Sequence, residues 1–327
     1  MKTVLAIDIG GTNTKMALVE STGTVGEVVS TPTDGEHGLD YYLQAIAQSA
    51  KKIISERGKR IDGVGIGVAG FIDPAHTMMT FNPNIAWLEK APLKDYFSSQ
   101  LSLPVVIEID SNAAALAEAV YGYGRDSQRL LVLAIGTGLG GGMTVNGEVL
   151  RIANECLGDV GHVIVEPGGP QCESGCKGCA EAMVSAPALE RYFSELTQKD
   201  LPISDEKKES GKILSTYEII QSAQAGDDVS IQAIEKTGRY LGIALASIVP
   251  ILAPDKVCIA GGVSEAGEIL MNTARASFEE ISGPPYSENV LIGKASLGWQ
   301  SILVGAAESF WRKQNYSSFS WDTNRSP

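Results

Sequence analysis

The sequence predicts an α/β protein made of two related halves. Its 327 residues are enough for two domains of ordinary size. Apolar segments rich in β-branched residues run into glycine turns at Gly10, Gly136 and Gly261, and stretches with helical spacing lie between them. This recurrence suggests a duplicated α/β unit, each half placing its glycine turns at one cleft.

The first half begins with a meander of strands. Val4–Ile9 predicts a buried strand because it is apolar, rich in β-branched residues and followed by two glycines. Apolar residues spaced three and four apart from Leu43 onward predict a helix that ends at Arg57-Gly58. The other elements predicted in this half are strands at Lys15–Val19, Glu27–Ser30, Val64–Val68 and Val105–Ile109 and a helix at Ala113–Tyr121.

The second half repeats the order of strand, glycine turn and helix. Leu130–Gly142 and Val257–Gly262 both open with apolar residues and close on small ones, which predicts strands that end in turns. Ile231–Leu252 predicts a long buried helix, and Trp299–Tyr316 predicts a final one.

Charge and composition exclude several classes of function. The chain has 26 Lys and Arg against 39 Asp and Glu, and a net charge of −13 disfavours nucleic-acid and anionic membrane partners. The apolar run at Val4–Ile7 is too short for a signal peptide, and Gly242–Ala253 is too short to span a bilayer. Five cysteines, three of them inside eight residues, do not resemble a disulfide framework. We therefore expect a soluble, cytoplasmic protein.

The glycine-rich segments exclude two common types of nucleotide-binding site and leave a third type as the candidate. Gly65–Gly70 and Gly136–Gly141 match the spacing of the dinucleotide fingerprint, but neither opens a helix as that site requires. No Gly-Lys pair is followed by Ser or Thr, which excludes a Walker P-loop. Asp8–Lys15 and Gly136–Gly138 are better candidates, because their N–H groups and hydroxyls can face a phosphate while Asp8 holds Mg²⁺ through water. A hairpin turn is the simpler alternative for either segment alone.

His162 and three clustered cysteines predict a metal site. Cys172, Cys176 and Cys179 form a Cys-x₃-Cys-x₂-Cys run, and three thiolates with one imidazole complete the tetrahedron of a structural zinc site. The alternative is a glycine-rich loop with free cysteines, which is disfavoured because small loops seldom concentrate thiols without a metal.

Asp110 stands between a predicted strand and a predicted helix. The carboxyl ends of strands form ligand clefts in α/β proteins, so Asp110 is a candidate general base. On these residues alone, helix capping by Asp110, Ser111 or Asn112 is the better interpretation.

Five segments in this order resemble the ROK family (repressor, open reading frame, kinase) over nearly the whole chain. They are Asp8–Thr12, Asp110–Ala115, Gly136–Gly142, Gly158–His162 and Gly178–Glu181. The resemblance implies the actin-like, ribonuclease H-like two-domain ATPase fold. It implies a smaller α/β domain at residues 1–118 plus 302–327 and a larger one at 119–301 with the zinc-binding loop. It also implies a homodimer and the transfer of the γ-phosphoryl group of ATP to a sugar hydroxyl with Mg²⁺.

The resemblance also assigns roles to individual residues. Asp110 would be the catalytic base, and His162 would be both a zinc ligand and a sugar contact. The implied sugar contacts are Asn84, Asp110, Asp159, His162 and Glu181. The implied nucleotide-binding residues are Asp8, Gly10, Gly11, Thr12, Thr137, Gly138, Gly261 and Gly262. The implied substrate is glucose at its 6-hydroxyl, with an N-acetylhexosamine or another hexose as alternatives.

Three departures from the family pattern bear on the substrate. Ile109 stands where the family usually has Asn, and Asp159 where it usually has Glu; Ser174 replaces a zinc cysteine, for which Cys176 compensates. We expect Ile109 to face the sugar, so that Ile109→Asn would raise kcat/KM for glucose about tenfold; the alternative is that Ile109 packs in the core. Which sugar is bound, and whether ATP or polyphosphate is the donor, stay open.

Two other classes of function compete with a kinase. A ROK repressor would need an N-terminal helix-turn-helix domain, which the first strand at Val4 and the acidic balance disfavour. A non-catalytic sugar sensor is disfavoured by the retained Asp110 and by both candidate phosphate turns.

Overall fold

The structure is a computed structural model that divides into two compact units. It describes residues 2–56, 58, 60–151, 159–199 and 214–316, without the side chains of residues 83–84, 198–199 and 314–316. The first unit comprises Met1–Tyr121, Glu148–Cys156 and Gln300–Pro327, and the second comprises Gly122–Gly147 and Leu157–Trp299. The domain limits predicted from the sequence stay a prediction.

The first unit is a five-stranded mixed sheet with helices packed on it. Its strands are β1 (Thr3–Ile9), β2 (Asn13–Glu20), β3 (Val29–Pro32), β4 (Gly63–Val68) and β7 (Val105–Ile109), in the spatial order β3-β2-β1-β4-β7. β5 (Phe71–Ile72) pairs with β6 (Met79–Phe81), and a short 3₁₀ helix spans Pro83–Leu88. The helices are α1 (Leu39–Glu56), α2 (Leu93–Leu101), α3 (Asp110–Tyr121) and α10 (Ser301–Tyr316).

The second unit has a sheet and six helices among its described residues. The strands β8 (Arg129–Ile135), β9 (Leu139–Val145), β11 (Lys256–Ala260) and β12 (Leu291–Lys294) have the order β9-β8-β11-β12. The short strand β10 (Glu148–Val149) belongs to the first unit. The helices are α4 (Ala180–Val184), α5 (Ala186–Lys199), α6 (Thr216–Gln224), α7 (Asp228–Leu252), α8 (Glu268–Ile281) and α9 (Pro284–Ser287). Short 3₁₀ helices span Val160–His162, Gly262–Ala266 and Gly298–Gln300.

Both sheets share one topology, as the recurring glycine turns predict. In each, an antiparallel hairpin is extended on one side by two strands that run parallel to the hairpin's first strand. In the first sheet β1 and β2 form the hairpin, and β4 and β7 extend it. In the second sheet β8 and β9 form the hairpin, and β11 and β12 extend it.

The glycines of the first dinucleotide-like segment serve helix packing. A Cβ at Gly65 in β4 would lie 2.1 Å from the carbonyl oxygen of Ala306 in α10, and one at Gly67 would lie 2.5 Å from Ile302. On the opposite side of the contact, a Cβ at Gly305 would lie 1.8 Å from the carbonyl oxygen of Ala113 in α3. The chain can bring α10 this close only because these positions carry no side chain.

Observed elements depart from the predicted ones in two ways. The segment predicted as one strand at Leu130–Gly142 is a hairpin, and the strand predicted at Glu27–Ser30 lies at Val29–Pro32. None of the described helices is both long enough and apolar enough to cross a membrane.

Ile109 lies in the hydrophobic core of the first unit, which corrects the expectation that it faces the sugar. It is 3 % exposed and packs with the apolar side chains of β1, β4 and α1. Every residue of β7 is buried, because α2, α3 and α10 all contact this strand. The alternation that leaves one face of a strand open therefore does not apply here.

We expect Ile109→Asn to destabilise the protein by about 2–5 kcal/mol, because it removes core packing and buries an amide. Denaturant unfolding measures this loss. The control is Ile251→Asn, since Ile251 is 79 % exposed, and its effect should stay within about 0.5 kcal/mol. An unchanged unfolding midpoint together with a gain in kcat/KM for glucose would return Ile109 to the sugar site.

Candidate active site

Two aspartates, the buried Asp8 and the half-buried Asp110, lie close together at the carboxyl ends of strands in the first unit. Asp8 precedes the last residue of β1, opposite Lys15 on β2 and Gly67 on β4. Burial raises the pKa of Asp8 to about 7, the charge of Lys15 opposes that rise, and the charge of Asp110 adds to it. An acid held near neutrality can bind a cation and release its proton as it does so.

Asp110 is the first residue of α3 and follows β7 directly. Its Oδ1 accepts a hydrogen bond from the N–H of Ser111 at 2.7 Å, so it makes a local contact at the helix start. Burial nevertheless raises the pKa of Asp110 to about 6, against the effect of the backbone hydrogen bonds. A carboxylate with a pKa this close to neutral is suited to general-base work, since it accepts a proton more readily than an ordinary aspartate.

The turn between β1 and β2 presents its backbone to solvent. Gly10 donates its N–H to the carbonyl oxygen of Asn13 at 3.2 Å, and Gly11, Thr12 and Asn13 are exposed. The carbonyl oxygen of Thr12 accepts the N–H of Thr33 at 2.9 Å, which ties the turn to the loop after β3. An exposed, fixed glycine turn of this kind can hold a phosphate through backbone N–H groups.

A hydroxyl network beneath this turn escaped the sequence analysis. The hydroxyl of Thr14 lies 2.5 Å from that of Tyr42 in α1 and 2.8 Å from that of Thr33. Burial raises the pKa of Tyr42 to about 12, and the charge of Asp8 contributes to that rise. The network joins three hydroxyls from β2, α1 and the loop after β3. Because these residues are far apart in the sequence and form no local motif, the sequence pattern does not predict their contact.

Glu181 holds the corresponding turn of the second unit. Its Oε2 accepts the N–H of Leu139 at 3.0 Å, and a Cβ at Gly138 would lie 2.5 Å from the same oxygen. The carbonyl oxygen of Gly136 accepts the N–H of Ala186 at 2.8 Å. The predicted sugar contact Glu181 and the predicted phosphate turn Gly136–Gly138 are thus in direct contact.

Gly261 brings the second glycine turn of this unit against the first. It has a φ of +87°, and a Cβ there would lie 2.4 Å from the carbonyl oxygen of Ile135, next to Gly136. Ser264 donates its hydroxyl to the carbonyl oxygen of Gly261 at 2.7 Å. Gly262 has open space where its Cβ would be. The predicted nucleotide-binding residues of the second unit therefore lie side by side.

The predicted metal ligands gather incompletely. The donor atoms of His162, Cys172 and Cys179 lie within 4.8 Å of one another, and the Sγ of Cys172 is 3.7 Å from Nδ1 of His162. Cys176 lies outside this group of three but beside Cys172. Burial raises the pKa of the Cys176 thiol, and the nearby Cys172 adds to that rise. Burial raises the pKa of the Cys179 thiol to about 11. Thiols with raised pKa values are protonated at neutral pH, and a bound metal ion favours their thiolate form. One imidazole nitrogen together with cysteine sulfurs is a ligand set typical of zinc.

The second nitrogen of His162 faces a carboxylate. Its Nε2 lies 3.2 Å from Oδ2 of Asp159, the other predicted sugar contact on this segment. Burial raises the pKa of Asp159, with Glu181 adding to the rise and His162 opposing it. A carboxylate on one imidazole nitrogen fixes the ring so that the other can bind a metal.

The predicted site residues thus form one group in each unit. The first holds Asp8, Asp110 and the turn at Gly10–Thr12, and the second holds Asp159, His162, Glu181, two glycine turns and the cysteines. Asn84 lies in the 3₁₀ helix Pro83–Leu88, and its side chain is outside the part of the chain that the structure describes.

Comparisons with known proteins identify the family. The ROK family model matches residues 4–313. A glucokinase of Halalkalibacterium halodurans is 31% identical over 307 residues, which span 92% of this chain and 92% of that protein. The structure of a ROK family glucokinase from Streptomyces griseus, in complex with glucose and AMPPNP, matches with a TM-score of 0.82 and 31% identity over 94% of this chain and 98% of that one.

A ROK hexokinase from Thermus thermophilus matches with a TM-score of 0.78 and 30% identity, covering 96% of this chain and 99% of that one. The α/β fold class predicted from the sequence, the actin-like two-domain fold, is confirmed by these structures. By the extent of the family match and by its identity to curated relatives, this chain belongs to the ROK family.

Proposed function

We propose that this protein is an ATP-dependent hexose kinase that phosphorylates glucose at its 6-hydroxyl. The observation that carries the proposal is Asp110, a carboxylate with a pKa of about 6 at the end of β7, accompanied in the same unit by Asp8 and an exposed glycine turn. The glucokinase relatives support the choice of a hexose, and the neighbour bound to glucose and AMPPNP supports ATP as the donor.

Asp110 accepts the proton of the attacking sugar hydroxyl in this proposal. Deprotonation makes the hydroxyl oxygen a better nucleophile toward the γ-phosphorus as the bond to the leaving oxygen breaks. Asp8 would hold Mg²⁺ through a water, and the cation would neutralise charge on the phosphates. The chain thus supplies a base and a cation site from the ends of two strands of one sheet, β1 and β7, which lie on either side of β4.

The glycine turns bind the nucleotide in this proposal. Gly11 and Thr12 donate N–H and hydroxyl groups toward the phosphates, and Gly10 lines the same turn with its own N–H bonded to Asn13. Thr137 and Gly138 donate such groups from the second unit. Gly261 and Gly262 lie toward the adenosine, where Gly262 leaves the space of a side chain open.

The sugar contacts proposed in the second unit are Asp159, His162 and Glu181. Carboxylate oxygens accept hydrogen bonds from sugar hydroxyls, and an imidazole can donate or accept one. Asn84 and Asp110 complete the proposed set from the first unit. Asp159 is one methylene shorter than the Glu that the family usually carries, so the same segment also makes an N-acetylhexosamine or another hexose a candidate.

The proposed zinc site consists of His162, Cys172, Cys176 and Cys179. Three of these donors lie together, and the fourth, Cys176, lies beside one of them, Cys172. A bound zinc would fix the loop that carries His162 and so hold the sugar contacts in place. The proposal also includes a cytoplasmic location and a homodimeric state.

A coupled assay for ADP formation tests the function across glucose, mannose, fructose and N-acetylhexosamines, with ATP and with polyphosphate as donors. Sugar-dependent turnover is the expected result, with the highest kcat/KM for glucose and ATP. Sugar binding without turnover would instead identify a sugar sensor. Turnover with an N-acetylhexosamine alone would identify an N-acetylhexosamine kinase of the same family.

Asp110→Asn should lower kcat about 10²- to 10⁴-fold, because it keeps the shape of the side chain and removes the base. Steady-state kinetics measure the loss, and calorimetry should find glucose and nucleotide still bound. Turnover close to that of the unmodified protein would remove Asp110 from the role of base.

We expect kcat/KM for the sugar to fall about tenfold for each pH unit below about 6, because protonated Asp110 cannot accept a second proton. Nucleotide binding should weaken below about pH 7, where Mg²⁺ must displace the proton of Asp8, and added Mg²⁺ should offset that loss. The control is the residual activity of Asp110→Asn, which should lack the limb near pH 6. A flat profile between pH 5 and 7 contradicts the assignment.

Metal analysis of protein purified without chelator should find about one Zn²⁺ per chain, with Zn–S distances near about 2.3 Å by X-ray absorption. Cys172→Ser should lose the metal, whereas Ser174→Ala should keep it and serve as the matched control. Removing zinc should raise KM for the sugar before the protein unfolds, because the metal holds the loop of His162. Protein that contains no zinc would refute the site.

A further inference from the structure

An ion pair with a buried carboxylate lies directly beside Asp110. Glu108, two residues earlier in β7, is 1 % exposed. Nη1 of Arg151 donates to its Oε1 at 3.0 Å, and Nη2 of Arg151 donates to its Oε2. The guanidinium therefore grips both carboxylate oxygens, a geometry that fixes orientation as well as distance.

The same carboxylate joins the strand to the helix on either side of Asp110. Oε1 of Glu108 accepts the N–H of Ile109 at 3.0 Å and the Nδ2 amide of Asn112 at 3.3 Å. Ile109 ends β7, and Asn112 lies in the first turn of α3. The backbone of Asp110 is therefore bracketed by two contacts to one carboxylate, whose own direction is set by Arg151.

The segment that carries Arg151 is itself anchored to α10 within the first unit. Glu148, three residues earlier, accepts a hydrogen bond from Nη1 of Arg312 at 2.6 Å, and Nε of Arg312 donates to Glu308 at 2.9 Å within α10. The side chain of Arg151 is thus held by Glu108, and the chain three residues before it is held by the contact of Glu148 with Arg312.

We propose that the pair of Arg151 and Glu108 positions Asp110 for proton transfer, a role that rests on the proposed kinase function. Arg151 is a positioning residue that acts through Glu108 and touches no substrate. The pair adds little net stability, because the cost of burying Glu108 offsets the attraction and Arg151 is 31 % exposed, so its forked geometry at this junction is better explained by orientation. Misplacing a base by about 1 Å can lower the rate about 100-fold, so a contact that fixes the position of Asp110 has a large effect on catalysis.

The test combines two changes at Arg151 with one control change at Arg275. Arg151→Lys keeps the charge and one hydrogen bond but loses the fork, and should lower kcat at least about tenfold while KM for glucose and ATP changes little. Arg275→Lys is the matched control, because Arg275 also makes a two-pronged contact, with the carbonyl oxygen of Ile292 in the second unit. Its kcat should equal that of the unmodified protein.

Chemical rescue separates positioning from stability. A cavity of about 170 Å³ lies beside the pair, lined by Glu108 and Arg151 together with residues of α3, β10 and α10. Arg151→Ala would enlarge it, so added guanidinium chloride should restore part of kcat, whereas sodium chloride at the same ionic strength should not. Kinetics are measured well below the unfolding temperature of each variant, and Arg151→Lys keeps the test valid if Arg151→Ala fails to fold.

The outcomes distinguish this inference from the function on which it rests. A reduced kcat in Arg151→Lys with guanidinium rescue of Arg151→Ala supports positioning. Unmodified protein that phosphorylates no sugar overturns the kinase function and the inference with it. Active unmodified protein with a normal kcat in Arg151→Lys, or losses that only follow the unfolding temperature and are not rescued, overturns the inference alone.

Discussion

Desolvation of two carboxylates at the ends of β1 and β7 is the constraint on which the first unit's chemistry depends. Asp8 and Asp110 both have raised pKa values because burial penalises their charged forms, and each is held by a different strand of one sheet. The parallel relation of β1, β4 and β7 brings the carboxyl ends of these strands to one edge, so the fold itself concentrates acidic groups there. In the proposed mechanism, one of these carboxylates binds a cation and the other accepts a proton from the substrate.

Close backbone approach is what most of the conspicuous glycines provide. Gly65 and Gly305 let α10 reach β4 and α3, whereas Gly138 lets Glu181 reach the turn after β8. The two dinucleotide-like segments therefore share a spacing but not a purpose: the first packs a helix, and the second makes a turn braced by a carboxylate. Spacing alone cannot separate the two uses, because it carries no information on what packs against each glycine.

The sequence was sufficient for the fold class, the repeated topology and the residues of local motifs, because these depend on nearby residues. It failed where a distant partner decides the outcome. Ile109 was expected at the sugar, but helices from three parts of the chain bury its strand. Arg151 lies 43 residues from Glu108, and the hydroxyls of Thr14 and Tyr42 lie on different elements, so no local pattern could pair them. The roles of the site residues remain predictions for the same reason, since a role depends on a bound substrate.

His162 lies between the cysteines and the carboxylate of Asp159. One ring nitrogen faces Cys172 and the other faces Asp159, so any group that orients the ring for sulfur also sets the direction of the carboxylate contact. Asp159 is in turn influenced by the charge of Glu181, which braces the glycine turn after β8. Thiols, imidazole, carboxylates and turn therefore form one continuous set of contacts in the second unit. Oδ2 of Asp159 lies 3.2 Å from Nε2 of His162, so this acid reaches the ring although it is one methylene shorter than the Glu usual in the family. In the proposed sugar site, the same shortening would reduce the reach of the carboxylate toward a sugar hydroxyl.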